Sequence, residues 1–190
     1  MPHPRFTLIM TLFFIFFITS CNNTPPPAAE VYSRISPTTL NAGDPIPMPS
    51  DKAILTVSGK IGAANQGNEI VMDIPTLEAL GMFEYKVNDP FKHEAITYQG
   101  PQMNDLLALW QVDKSATKII LTALNDYKVE VNLDVFRQTP TLFALKANGS
   151  YMPVADRGPS MLVFPYNSYE LDHNIYDSYW IWQIKSIEVQ

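Results

Sequence analysis

Past the first twenty residues, the side chains able to do chemistry are few, and their spacing narrows what that chemistry can be. His93 and His173 stand 80 residues apart, with no HExxH or paired-histidine spacing, so no metal ligand is assigned. Glu170, Asp172 and Asp177 could gather a cation, but a solvated acidic loop is the plainer reading. No Gly-x-Ser-x-Gly elbow, Walker loop or dinucleotide fingerprint occurs, and no catalytic residue is assigned. Arg157 is the cation to watch. Beside Gly158-Pro159 it lies in a turn where backbone amides and one guanidinium could bind an anion; pairing with Asp156 or a neighbour is the structural alternative. Tyr166, Tyr169, Tyr176 and Tyr179, with Trp180 and Trp182, either line a binding face or alternate into a core.

The chain of 190 residues is 46% hydrophobic and carries a formal charge of −6. That balance excludes a phosphate-backbone binder, which needs clustered Lys and Arg, so no nucleic-acid partner is expected. Its single cysteine, Cys21, excludes an internal disulfide framework and any Cys-rich metal site. The neighbours of Cys21 explain it. Arg5 precedes an apolar run from Phe6 to Ile18, which as a helix would span roughly 20 Å and fall short of a ~30 Å hydrocarbon core. The run ends in Ile18-Thr19-Ser20-Cys21. This resembles the lipobox of bacterial lipoproteins, which implies a signal peptide over 1–20, lipid attachment at Cys21 and a periplasm-facing protein anchored in the cell envelope. Asn22 after the cysteine favours the outer membrane over the inner. Two or more acyl chains, at about 0.8 kcal/mol per buried CH₂, make such an anchor stable.

From Asn22 to Ser50 lie seven of the 16 prolines. Proline lacks the amide donor, so residues 21–50 are expected to be a polyproline or disordered tether. A domain of 51–190 follows, long enough to bury its own core. Its signals are strand-like: 54–57, 69–72, 83–87, 95–98, 118–122, 128–133, 142–145, 161–164 and a long final strand from Trp180 to Val189. Lys128-Val129-Glu130-Val131 alternates, so one face is wet. The Gly59–Gly67 stretch reads as a hairpin turn, and Asn125-Asp126-Tyr127 as a β-turn. Helices are few and short. Met103, Leu106, Leu107 and Trp110 make one apolar stripe; Pro75 to Leu80, closed by Gly81, and Asp134 to Arg137 are the other two. Asn22-Asn23-Thr24 and Asn148-Gly149-Ser150 have the form of glycosylation sequons, which a bacterial envelope protein has no use for.

Four stretches, in order, carry a more specific signal: Gly100 to Leu107 (GPQMNDLL), Thr122 to Val129 (TALNDYKV), Asp156 to Pro165 (DRGPSMLVFP) and Tyr176 to Val189. Together they resemble the molybdopterin-binding domain of the sulfite oxidase superfamily, in its short bacterial periplasmic form. The likeness covers nearly all of Ile54 to Val189. It implies a β-dominated α+β, mixed-sheet sulfite-oxidase-like fold with few short helices, and a pocket-lining, cofactor-binding role for Arg157, Asn125, Asp126 and Tyr127. One departure matters. Catalytic members hold molybdenum with the pterin dithiolene and a cysteine shortly before the helix of the first motif, a soft thiolate suited to the metal. Here that region, Asn88 to Gln99, has no cysteine, and between 51 and 190 the only arginines are Arg137 and Arg157. The resemblance so amended implies a domain that keeps the fold without molybdenum redox chemistry, with no cofactor expected, binding a periplasmic protein or a small anionic ligand. The alternatives are a molybdopterin-dependent oxidoreductase with a non-thiolate metal ligand, and an envelope structural protein whose pocket is filled by aromatic side chains.

If Cys21 is acylated, the exported protein, unfolded in denaturant, should show no titratable thiol, and Cys21→Ser should release it from the membrane fraction. A full equivalent of free thiol in the wild type would contradict the anchor.

Overall fold

The computed structural model describes Met1, residues 26–27 and residues 31–190; the expected signal peptide and its Cys21 lie outside the described residues. Among the described residues no helix is long and apolar enough to cross a membrane. The protein is a β-dominated α+β fold built on two five-stranded sheets and a two-stranded one.

The first sheet has the order β1-β4-β5-β9-β10, from Ser33–Arg34, Phe83–Asn88, Ala95–Gly100, Lys146–Ala147 and Ser150–Tyr151, with all pairs antiparallel. The second is mixed and has the order β3-β2-β12-β6-β7, from Ile70–Met72, Leu55–Gly59, Ile184–Val189, Lys118–Ala123 and Lys128–Asn132; only β2 and β12 run parallel. β8 (Leu142–Ala144) and β11 (Met161–Val163) form the third.

Alternation explains the second sheet. In β7 Val129 and Val131 turn inward while Lys128, Glu130 and Asn132 face solvent. β12 departs from period two: its buried Ile184 and Ile187 are three apart, and a register shift against β6 at Lys185 supplies the extra residue that brings both to one face. That strand is shorter than the sequence pattern suggested. Gln183 at φ 57° ends it, and Trp182 bridges instead to Met161. Gly100 closes β5 where β8 crosses, since a Cβ there would overlap the carbonyl of Phe143. The hairpin signal near Gly67 holds, with its tight turn at Gln66 to Glu69.

All three expected helices form. Met103–Leu109 buries Met103, Leu106 and Leu109, and Trp110 just past its end is fully buried. Leu133–Gln138 starts at the Asn132 cap, whose Oδ1 accepts the amide of Asp134 at 2.9 Å. Ile74–Glu78 has Pro75 in its first turn and Gly81, at φ 89°, after its end. Its cap, Asp73, is fully buried and does more than cap. One oxygen accepts the Thr76 amide at 2.9 Å and the Thr76 hydroxyl at 2.5 Å; the other accepts the amides of Ser50 and Asp51 at 2.7 and 2.8 Å. Burial alone would raise this carboxyl's pKa, but the Thr76 hydroxyl and the three amides outweigh it and hold the group well below the usual carboxylate range.

The ordered unit begins earlier than the expected boundary at Asp51. Residues 31–50 were expected as tether, yet Tyr32, Leu40 and Ile46 are buried in the core and Ser33–Arg34 pairs with β4. Tyr32 donates to the Pro140 carbonyl at 2.7 Å, and Asn65 Nδ2 donates to the Pro47 carbonyl at 2.8 Å. The prolines prevent a regular ladder. They do not prevent packing, because the anchoring residues sit between them and an edge segment can leave amides unpaired.

Asp73→Ala therefore should cost about 3 kcal/mol of unfolding free energy, because it frees buried amides on both segments at once. Urea unfolding would measure it; a loss below about 1 kcal/mol would mean that Asp73 does not staple residues 50–51 to the helix.

Candidate functional site

The loop joining β4 to β5 is organised by Asp89, which no sequence motif singled out. Its Oδ1 accepts the amides of Phe91 and Lys92 at 2.8 and 2.7 Å, and its backbone closes the loop through His93 N–H to Asp89 O and Asp89 N–H to Glu94 O, each 2.9 Å. Its Oδ2 accepts the Tyr98 hydroxyl at 2.6 Å and Arg157 Nη1 at 2.5 Å. The carboxylate side chain is 0% exposed and that of Arg157 is 12% exposed, so this is a buried ion pair. Burial would raise the pKa of Asp89; the Tyr98 hydroxyl, the two amides and the Arg157 charge together reverse it and hold the pKa below the ordinary value. Tyr98 is pushed the other way, by burial first and then by its bond to Asp89.

Arg157 reaches Asp89 because of its own turn. The 3₁₀ turn Val154–Asp156 ends in Arg157 at φ 66°, and the next residue must be glycine, since a Cβ at Gly158 would overlap the Met152 carbonyl. Asp156, the neighbour expected as a partner, pairs with Lys92 at 2.8 Å instead. The Arg157 carbonyl accepts the amide of Gln183 at 3.1 Å, and the Gln183 carbonyl accepts that of Leu124 at 2.9 Å. So the β4–β5 loop, the Arg157 turn, the start of β12 and the β6–β7 turn are joined in one chain of bonds.

Aromatic rings cover this chain. The guanidinium lies 5.1 Å from the ring centre of Trp182 and 5.8 Å from that of Phe91. Phe91 meets Trp182 edge-on at 5.5 Å and Trp180 at 6.2 Å; Trp180 in turn stacks on Tyr166 at 5.7 Å. Tyr166 donates to Asp177 at 2.6 Å and stacks on His173, whose Nδ1 lies 3.0 Å from the same carboxylate. Burial and the Asp177 bond raise the pKa of the Tyr166 phenol. The Trp180 indole opposes them, yet its Nε1 meets no acceptor in hydrogen-bonding geometry.

The four residues singled out with the sulfite oxidase likeness thus divide. Asn125 and Tyr127 line a cavity of about 210 Å³ with Trp180, Ile181, Trp182 and Gln183. Asp126, at φ 66°, forms the β6–β7 turn and its Oδ1 pairs with Lys185 at 2.6 Å. Arg157 is spent on Asp89. Asp172 caps the helix His173–Tyr176, and among the described residues no group of three or more His, Cys, Asp and Glu is placed to hold a metal ion. Asn148 and Gly149, both at positive φ, make the β9–β10 turn. No protein-family model matches the chain, and no curated protein matches it.

Because Arg157→Met strands a buried carboxylate, it should cost about 3–5 kcal/mol, and pairing it with Asp89→Asn should cost less than the two single losses added together. Acid unfolding reads the same pair. A depressed native pKa makes the Asp89 contribution fully present above about pH 4 and lost as pH falls through the native value, so Asp89→Asn should lose less stability on acidification than the wild type. Equal acid profiles would contradict the pair.

Proposed function

We propose that this is a lipid-anchored, periplasm-facing binding module whose domain is related in fold to molybdopterin oxidoreductases but does no molybdenum redox chemistry. The observation that carries the reading is the use to which Asp89 and Arg157 are put. Asp89 stands in the stretch where catalytic members of the resembled superfamily carry the metal-binding cysteine. Both its oxygens already accept two hydrogen bonds each, from Phe91, Lys92, Tyr98 and Arg157. A molybdenum centre held through the pterin wants a soft thiolate, and the described residues contain none. The donor set does not fit that group, and no step is derived through it.

Arg157 is the cation that would have faced an anionic substrate or cofactor phosphate. Its charge is matched by Asp89 and its faces lie against Trp182 and Phe91. The alternative, a molybdopterin-dependent oxidoreductase with a non-thiolate ligand, requires Asp89 or Arg157 to leave a buried pair, which strands the other charge. The ring cluster favours a second reading, an envelope structural protein whose pocket is filled by side chains. The cavity beside the cluster supports a binder over a filled scaffold. Anchorage through Cys21, in the outer membrane, belongs to the same proposal.

Protein exported natively from a molybdenum-replete host should contain far less than one molybdenum per chain and release no fluorescent oxidised pterin on acid treatment. Stoichiometric molybdenum with pterin would overturn the reading.

A further inference from the structure

We infer that the cavity beside the β6–β7 turn binds a pyranose ring of a neutral glycan, an inference that rests on the protein being a non-redox binding module. The argument starts from charge. None of Asn125, Tyr127, Trp180, Ile181, Trp182 and Gln183 is an Asp, Glu, Lys, Arg or His; Asp126 in the turn pairs with Lys185 on β12 at 2.6 Å, and Lys128, exposed at the start of β7, is not part of the lining. Arg157, behind Trp182, is matched by Asp89. A phosphate or carboxylate inside it would meet no cation in the lining, and burying an unpaired charge is costly.

What the cavity offers is the rings of Tyr127 and Trp182 beside amide groups. A sugar ring presents the complement, with C–H faces that pack on aromatic rings and hydroxyls at the edge that both donate and accept. The amides have capacity left over. Asn125 Oδ1 is used by the Tyr127 amide at 3.1 Å, which leaves the Nδ2 donor, and Gln183 Nε2 donates to the Val154 carbonyl at 2.6 Å, which leaves the Oε1 acceptor. Trp180 itself is held in the core, 2% exposed and stacked on Tyr166, so the rings left to meet a ligand are those of Tyr127 and Trp182.

Size and exposure select among ligands. At about 210 Å³ the cavity is smaller than the ~300–1,000 Å³ usual for drug-sized ligands, so it fits one ring of a longer chain. Tyr127 is 58% exposed at its rim, placed to cover a ring without supporting the core. Gln183, at φ 57°, holds a backbone conformation that costs energy, and it ties the cavity wall to the Arg157 turn.

The test uses the exported protein in a zwitterionic detergent, titrated with maltotriose, cellotriose and chitotriose while tryptophan fluorescence is read. A saturable change with at least one trisaccharide is expected, and Tyr127→Ala should weaken that binding about tenfold with an unchanged thermal midpoint. The inference is overturned by no response to any of the three at about 10 mM, by Tyr127→Ala binding as tightly as wild type, or by binding of the planar heteroaromatic neopterin in their place. Molybdenum content of the same sample separates the two levels. Stoichiometric metal overturns the binding-module reading itself, whereas metal-free protein that ignores all three sugars overturns the glycan assignment alone.

Discussion

The ion pair between Asp89 and Arg157 is the contact on which this end of the molecule depends. Taking a carboxylate and a guanidinium out of water costs several kcal/mol per ion, and their attraction offsets that only where the remaining donors and acceptors are also satisfied. Asp89 meets the condition with four hydrogen bonds, two from its own loop, one from Tyr98 on β5 and one from Arg157. The result fixes two loops that are 68 residues apart in the chain. It also removes Arg157 as a free anion receptor, so the ring-lined cavity next to it is left with neutral chemistry.

Backbone strain gathers along the same chain of bonds. His93, Asp126, Arg157 and Gln183 all have positive φ without being glycine, and each belongs to one of the four segments that the Asp89 and Gln183 bonds connect. Residues hold such conformations only where their surroundings over-determine them. Here the surroundings are the buried pair, the Gly158 turn and the rings of Phe91, Trp180 and Trp182. The bulge at Lys185 belongs to the same economy: β12 must enter the sheet with Ile184 and Ile187 inward while its preceding residues turn away to the cavity.

A second buried carboxylate does comparable work. Asp73 ties Ser50 and Asp51 to the Ile74–Glu78 helix, and Tyr32, Leu40 and Ile46 continue the attachment along residues 31–50. Proline content described this segment poorly because it reports which amides are missing, not which side chains are buried. Three apolar anchors and a two-residue pairing with β4 are enough to hold an edge segment interrupted by prolines.

Apolar and β-branched runs between turn residues marked nine strands, and an apolar stripe or a framing proline and glycine marked the short helices, because such signals record which residues leave water and where the chain must turn, and need no knowledge of partners. The β-turn at Asn125-Asp126-Tyr127 and the capping of short helices were equally local. So was the absence of a cysteine between Asn88 and Gln99, which follows from composition alone. Four properties belonged to tertiary structure. These were the pairing of Asp89 with Arg157 in place of Asp156, the burial of Tyr32, Leu40 and Ile46 within residues 31–50, the early end of the last strand at Gln183, and the division of the turn residues into cavity wall and ion pair. Each depends on groups distant in the chain arriving at one place, and a charged side chain takes the partner that is buried with it, not the one beside it in sequence.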